Sequence, residues 1–160
     1  MEVYRLLKAP YDTDPLSVVG SELSPGRWNL SGQGLLYTAS SPAQALLETM
    51  AHFETVPLPA LPQLRLFVLS VDESLIRPMN QAALPLGWNA PGSARLTQPY
   101  LFDWIEDPVA KAFSCLGVHV PSAVFELETN YLFAPKHPAF TSIRQVASYP
   151  IRLDSRLWRL

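Results

Sequence analysis

The apolar runs of this chain are short, and turn formers cut each of them off. Val3 to Leu7, Leu35 to Ala39, Leu64 to Asp72, Ser122 to Leu127 and Tyr149 to Leu153 read as strands. No apolar run approaches the length needed to span a bilayer. The Leu64 to Asp72 segment is apolar on both faces in parts, as a central strand must be. One helix start is well marked. In Ser41-Pro42-Ala43-Gln44, serine can cap, proline suits the first helical position, and glutamine closes a capping box. From there a helix is expected to about Phe53, burying Ala43, Leu46, Leu47, Met50 and Phe53 along one stripe. Glu48 falls away from that stripe, on the side of Gln44 and His52. Asp14-Pro15 predicts a single helical turn, and Asp107-Pro108 predicts a second helix that Gly117 would end. Residues Pro78 to Pro99, with four prolines and two glycines, read as an irregular excursion. With no repeat and no linker, residues 1–160 are expected to form one α+β domain with short strands.

A chain of 160 residues that is 48% apolar and 16% charged can bury a real core and is globular. Its net charge of −2 and pI near 5.9 supply no broad positive field, which disfavours nucleic-acid binding. Arg144, Arg152, Arg156 and Arg159 gather near the end, but Asp154 interrupts them, and they read as exposed residues around a terminal strand. The single cysteine, Cys115, forbids an internal disulfide and points to a reducing compartment. Its apolar setting reads as that of a buried structural thiol. Met1 to Arg5 lacks the regions of a secretory signal, so a cytoplasmic protein away from membranes is expected. His52, His119 and His137 stand at no zinc spacing, and no metal site is expected.

The most informative stretch is Ser24 to Gly34. Its glycines let backbone approach a ligand, Arg27 can make forked hydrogen bonds to phosphate, and Trp28 offers a flat face to a ring. It matches neither the P-loop nor the dinucleotide fingerprint, and taken alone it reads as a structural loop whose tryptophan plugs the core. Tyr37 could stack on a base or be a core aromatic. Glu48, on the polar side of its helix, defaults to a solvated carboxylate. Ser122 would ordinarily be a turn serine, and Asn130 a turn residue. Arg5 could reach the same phosphates, or be the outward charge of an edge strand. His52 reads as sharing the solvated face of Glu48.

Their order changes that judgement. Gly26-Arg27-Trp28-Asn29, then Gly32, Leu36-Tyr37-Thr38-Ala39 and Ala45-Leu46-Leu47-Glu48 together resemble the RES domain. So do Val120-Pro121-Ser122, Asn130-Tyr131-Leu132, Pro135-Lys136-His137-Pro138 and Asp154-Ser155-Arg156-Leu157-Trp158. The similarity runs from about Tyr4 to Trp158. The arginine, glutamate and serine that give the family its name fall on Arg27, Glu48 and Ser122.

The resemblance implies a fold like that of the ADP-ribosyltransferase toxins and the toxin role in a toxin–antitoxin pair. It implies an Xre-type antitoxin as partner, a tendency to dimerise, and NAD as substrate with no resident cofactor. Cleavage of the nicotinamide–ribose bond, by hydrolysis or phosphorolysis, is the expected reaction, and its transition state has oxocarbenium character at the ribose. In this reading Glu48 stabilises the sugar through a ribose hydroxyl, Tyr37 stacks on nicotinamide, and Arg27 clamps the pyrophosphate or nearby ribose. Ser122 positions substrate or Arg27, with Arg5, Trp28 and Asn130 as further binding candidates. The alternatives are mono-ADP-ribosylation of a specific protein and a non-catalytic domain that holds an anionic ligand. An antitoxin would cover the site; Pro78 to Pro99 and the run Tyr100 to Trp104 read equally as part of the surface it meets and as a loop packed on its own domain.

Overall fold

The computed structural model describes residues 1–52, 62–107, 112–154 and 156. Seven strands form one sheet in the order β4 (Ile76–Pro78), β7 (Gly117–Pro121), β8 (Thr129–Phe133), β2 (Leu36–Ala39), β1 (Glu2–Lys8), β3 (Leu64–Ser70) and β9 (Arg144–Ile151). Neighbours run antiparallel except β4 and β7, which are parallel. A two-stranded ribbon joins β5 (Glu106–Asp107) to β6 (Ala112–Phe113). Three α-helices, α1 (Val19–Leu23), α2 (Pro42–Met50) and α3 (Ala94–Ile105), are present among the described residues, so the expected α+β class holds. None of these helices is long and apolar enough to cross a membrane.

Residues directly opposite in a ladder share a face, and the register therefore sorts the sheet into two sides. One side carries Val3, Leu36, Phe67, Leu69 and Phe133, which pack with Leu116 and Ile143. The other carries Val118, Val120 and Leu132, covered by Trp28, Leu35, Trp88 and Leu101, and beside them Ala39 and Leu66 under Ala45 of α2. Two cores therefore sandwich the sheet. Leu66 to Leu69 of β3 is buried on both faces, as its apolar run requires. Cys115 is buried as well.

Several expectations need correction. No helical turn opens at Asp14-Pro15. Asp14 instead accepts the Leu16 amide proton at 2.9 Å in a local turn, and the short helix comes later, at Val19–Leu23. No helix opens at Asp107, because Glu106 and Asp107 pair with Phe113 and Ala112 as strands; residues 108–111 of that expected helix lie outside the described residues. The helix falls earlier, over Ala94–Ile105, with Pro99 inside it. A proline there forfeits one helical hydrogen bond, but contacts to the Arg27 loop, given below, hold the helix in place. Ser122 to Leu127 is a connection rather than a strand, since β7 has already ended at Pro121 and β8 begins at Thr129. The last strand starts five residues before the expected Tyr149, at Arg144.

Helix α2 is the most instructive departure. Ser41 caps it, accepting the Gln44 amide proton at 3.1 Å. Yet its buried residues are Gln44 and Ala45, while Ala43 is exposed and Leu47 is 40% exposed. The expected apolar stripe points largely away from the core, and the polar side points in. Ala45 is small enough to let the helix approach the sheet at Ala39 and Leu66, and that approach seats Gln44 and Glu48 among polar partners. Phe53, the last residue of the expected stripe, lies outside the described residues.

Candidate active site

Glu48 projects from α2 over the sheet face that carries Tyr37, Ala39 and Asn130, since Ala39 lies opposite Asn130 and Tyr37 opposite Leu132. Its Oε1 atom receives three hydrogen bonds: from Asn130 Nδ2 at 2.5 Å, Ser122 Oγ at 2.7 Å and Gln44 Nε2 at 2.9 Å. No donor among the described residues reaches Oε2. All three of these bonds fall on one carboxylate oxygen.

Ser122 has no freedom in this arrangement. Its hydroxyl accepts the amide protons of Val124 and Phe125, each at 3.0 Å. A hydroxyl has two acceptor sites and one proton, so the proton must go to Glu48. The serine is fully buried. It is both a turn residue and a support for Glu48, and its hydroxyl bonds neither Arg27 nor open space. Asn130, expected in a turn, sits inside β8 and aims its amide at the same oxygen.

The Arg27 loop is built around Asn29, a buried residue that sequence reasoning left without a role. Its Nδ2 donates to Ser21 O at 2.7 Å, Gln33 O at 2.8 Å and Leu30 O at 3.1 Å. Its Oδ1 accepts from Gly26 N at 2.9 Å and from the Tyr37 hydroxyl at 2.8 Å. Tyr37 accepts in turn from Trp28 N at 3.1 Å. Burial pushes the Tyr37 phenol well above its usual range. Gly26 is required by this closeness, because a Cβ there would stand 2.7 Å from the Tyr37 hydroxyl oxygen. From α3, Thr97 Oγ1 donates to Arg27 O at 2.5 Å and Gln98 Nε2 to Gly26 O at 2.8 Å, which pins the loop from the other side.

Arg27 itself is partly buried. Its Nη1 donates to Trp88 O and, at 2.6 Å, to Ser93 Oγ, while Nη2 makes only a 3.5 Å contact with Ala90 O. Burial lowers its pKa, and the nearby charge of Glu48, with Tyr37, works against that lowering. Arg27, Tyr37 and Glu48 therefore share one electrostatic neighbourhood. Across it, Asn89 Nδ2 donates to Glu126 Oε1 at 2.9 Å, linking the segment that Arg27 holds to the connection that starts at Ser122.

Two binding candidates do not join this site. Arg5 lies opposite Phe67 on the other sheet face, and its guanidinium donates to Pro15 O at 2.6 Å and Ser17 O at 2.8 Å. Strand β1 is interior, so Arg5 is not an outward edge charge either. Burial brings its pKa down to about 10, against the opposing charge of Asp14. Trp28 is 3% exposed and packs on Trp88 with ring centroids 5.8 Å apart. It plugs the core and has no open face for a substrate ring. His52 is exposed beyond the end of α2. Gln44, read as a cap partner on the same side of the helix as Glu48 but given no role there, is the residue that sequence reasoning undervalued. Its position four residues before Glu48 was the signal, because such residues share a helix face.

The comparisons agree with this architecture. The family model described as the RES domain matches residues 2–154. The chain is 30% identical over 158 residues to a protein of Yersinia enterocolitica named Toxin Res, covering 98% of this chain and 99% of that one. It is 32% identical over 137 residues to the Prs ADP-ribosylating toxin of a Sphingobium strain, covering 84% and 81%. A chain of the crystal structure of the M. tuberculosis MbcT–MbcA toxin–antitoxin complex shares the fold, with a TM-score of 0.66 and 18% identity over 94% of this chain and 83% of that one. With Ser122 hydrogen-bonded to Glu48 and the family model matched over nearly its whole length, this chain belongs to the RES domain family.

Proposed function

We propose that this protein is the toxin of a toxin–antitoxin pair and that the site around Glu48 takes NAD as substrate and breaks the nicotinamide–ribose bond. One observation carries the reading: the Glu48 carboxylate is locked through Oε1 by three donors while no donor among the described residues reaches Oε2, in the same neighbourhood as Arg27 and Tyr37. An oxygen of this kind accepts a hydroxyl proton from a ribose and places negative charge beside a sugar that becomes positive in the transition state. The carbon–nitrogen bond breaks with its electron pair leaving on nicotinamide, which departs as a neutral ring and needs no acid. Water or phosphate then adds to the ribose carbon and gives up a proton. Arg27 has five N–H donors and spends Nη1 on Trp88 O and Ser93 Oγ, so its other edge is the one to meet a phosphate or ribose oxygen. The ring of Tyr37, with its hydroxyl already committed to the loop, is the surface against which nicotinamide stacks. NAD enters as the substrate, and no resident cofactor takes part.

The test is product analysis of purified protein with NAD, with and without phosphate. Loss of NAD with release of nicotinamide is expected, together with a fall of about 100-fold or more for Glu48→Gln, which keeps shape but removes charge. An Glu48→Gln protein that turned over NAD at the parent rate would refute the role of Glu48. A second reading is favoured by the relative named for ADP-ribosylation: the same site passes ADP-ribose to a protein. Labelled NAD in a cell lysate separates the two, with a labelled protein band meaning transfer and free ADP-ribose products meaning degradation. As a toxin, the protein requires a restraining partner, and an Xre-type antitoxin seated over the Glu48 site meets that need.

A further inference from the structure

We infer that Gln44 is a positioning residue for Glu48 and that the fold gives up stability to keep it there. This rests on the reading of Glu48 given above. Gln44 is completely buried on α2. Its Nε2 donates to Glu48 Oε1 at 2.9 Å and lies 3.4 Å from Asn130 Oδ1. The orientation of the amide is forced. Turned over, it would set its own oxygen against Glu48 Oε1 and Asn130 Oδ1, three acceptors facing one another with no proton among them. Held the right way round, its Oε1 is buried with no hydrogen-bond partner.

A buried acceptor without a donor is unfavourable, and an apolar side chain of the same length would remove that penalty in exchange for one bond to Glu48 Oε1, which keeps its other two donors. The chain retains the amide at a position where α2 turns its polar side to the core, and what the amide achieves there is contact with one oxygen of Glu48. Together with Ser122 and Asn130 it completes a three-point hold, which fixes the plane of the carboxylate and so the direction in which Oε2 faces. A residue that acts only through the orientation of another changes the rate of the chemical step more than the binding of substrate.

The experiment compares Gln44→Met and Gln44→Leu with the parent protein in three ways: melting temperature, kcat and KM for NAD, and growth arrest on expression at matched soluble levels. Both variants are expected to melt at or above the parent temperature. Both should lose about 10-fold or more in kcat, with KM within about twofold. A melting temperature that falls, or a variant that does not fold, would show that Gln44 contributes stability and overturn the inference. So would a kcat within about twofold of the parent. Should the parent protein arrest growth without consuming NAD, the NAD reading fails alone. Gln44 is then judged by growth arrest, and full arrest by a stable Gln44→Met protein overturns its role.

Discussion

Replacing Ser122 with alanine removes one atom that takes part in three hydrogen bonds. The Val124 and Phe125 amides lose their acceptor, and Glu48 Oε1 loses one of its three donors. Val124 and Phe125 are 44% and 47% exposed, so water can reach part of the freed backbone, and each amide is charged at about 1 kcal/mol, the low end for an unmade bond. The bond to the carboxylate adds about 1.5 kcal/mol, since its acceptor is ionised. The total is about 2–4 kcal/mol, which for a chain of this size lowers the melting temperature by roughly 5–15 °C. Calorimetry or circular dichroism at pH 7 measures that shift. A double-mutant cycle with Glu48→Ala isolates the shared bond, for which a coupling of about 1–2 kcal/mol is expected. A Ser122→Ala protein melting within about 2 °C of the parent, or strict additivity in the cycle, would refute the account of Ser122 as a support for Glu48.

Two further perturbations probe the Arg27 loop. Gly26→Ala forces a Cβ to within 2.7 Å of the Tyr37 hydroxyl oxygen, which two hydrogen bonds hold in place, so a loss of about 1–3 kcal/mol is expected together with a fall in NAD turnover per folded molecule. Gly32→Ala meets no neighbour within 4 Å but keeps a φ of +79°, so it should lose about 1–2 kcal/mol by backbone strain while the folded protein turns over as before; equal turnover in both variants would contradict the role of the Gly26–Tyr37 contact. Tyr37 also has a pH signature. Its phenol is raised by burial above the ordinary value of 10.0, so the unfolded chain loses this proton first, and the stability Tyr37 contributes is present below pH 10 and declines as pH climbs past it. In an ultraviolet titration of the native protein, Tyr37→Phe should leave the tyrosinate signal near pH 10 unchanged; loss of one tyrosine's worth of signal there would show that the phenol ionises normally.

Local features of the chain were legible wherever a few neighbouring residues decide the outcome. The strand at Val3 to Leu7, the strand ending at Ala39, the Ser41 cap and the buried Cys115 all follow from patterning or cap chemistry that spans a handful of residues. Prolines misled in both directions. Pro108 was read as opening a helix where Asp107 is in a strand, and Pro99 was read as breaking order where a helix passes through it. Pairing outweighed the proline's preference in the first case, Asp107 with Ala112 five residues on, and in the second the grip of Thr97 and Gln98 on the distant Arg27 loop did so.

The order of Arg27, Tyr37, Glu48 and Ser122 along the chain was enough to mark the family and the residue types its chemistry needs. It could not say which way each side chain faces. Only the packed structure turned the polar side of α2 inward, brought Asn130 from a strand 82 residues away and Ser122 from a connection 74 residues away onto one oxygen of Glu48, and sent Arg5 to the opposite sheet face. The physical reason is that burial of a charged or polar group is decided by whether partners await it, and those partners come from segments whose distance in sequence carries no trace of their nearness in space.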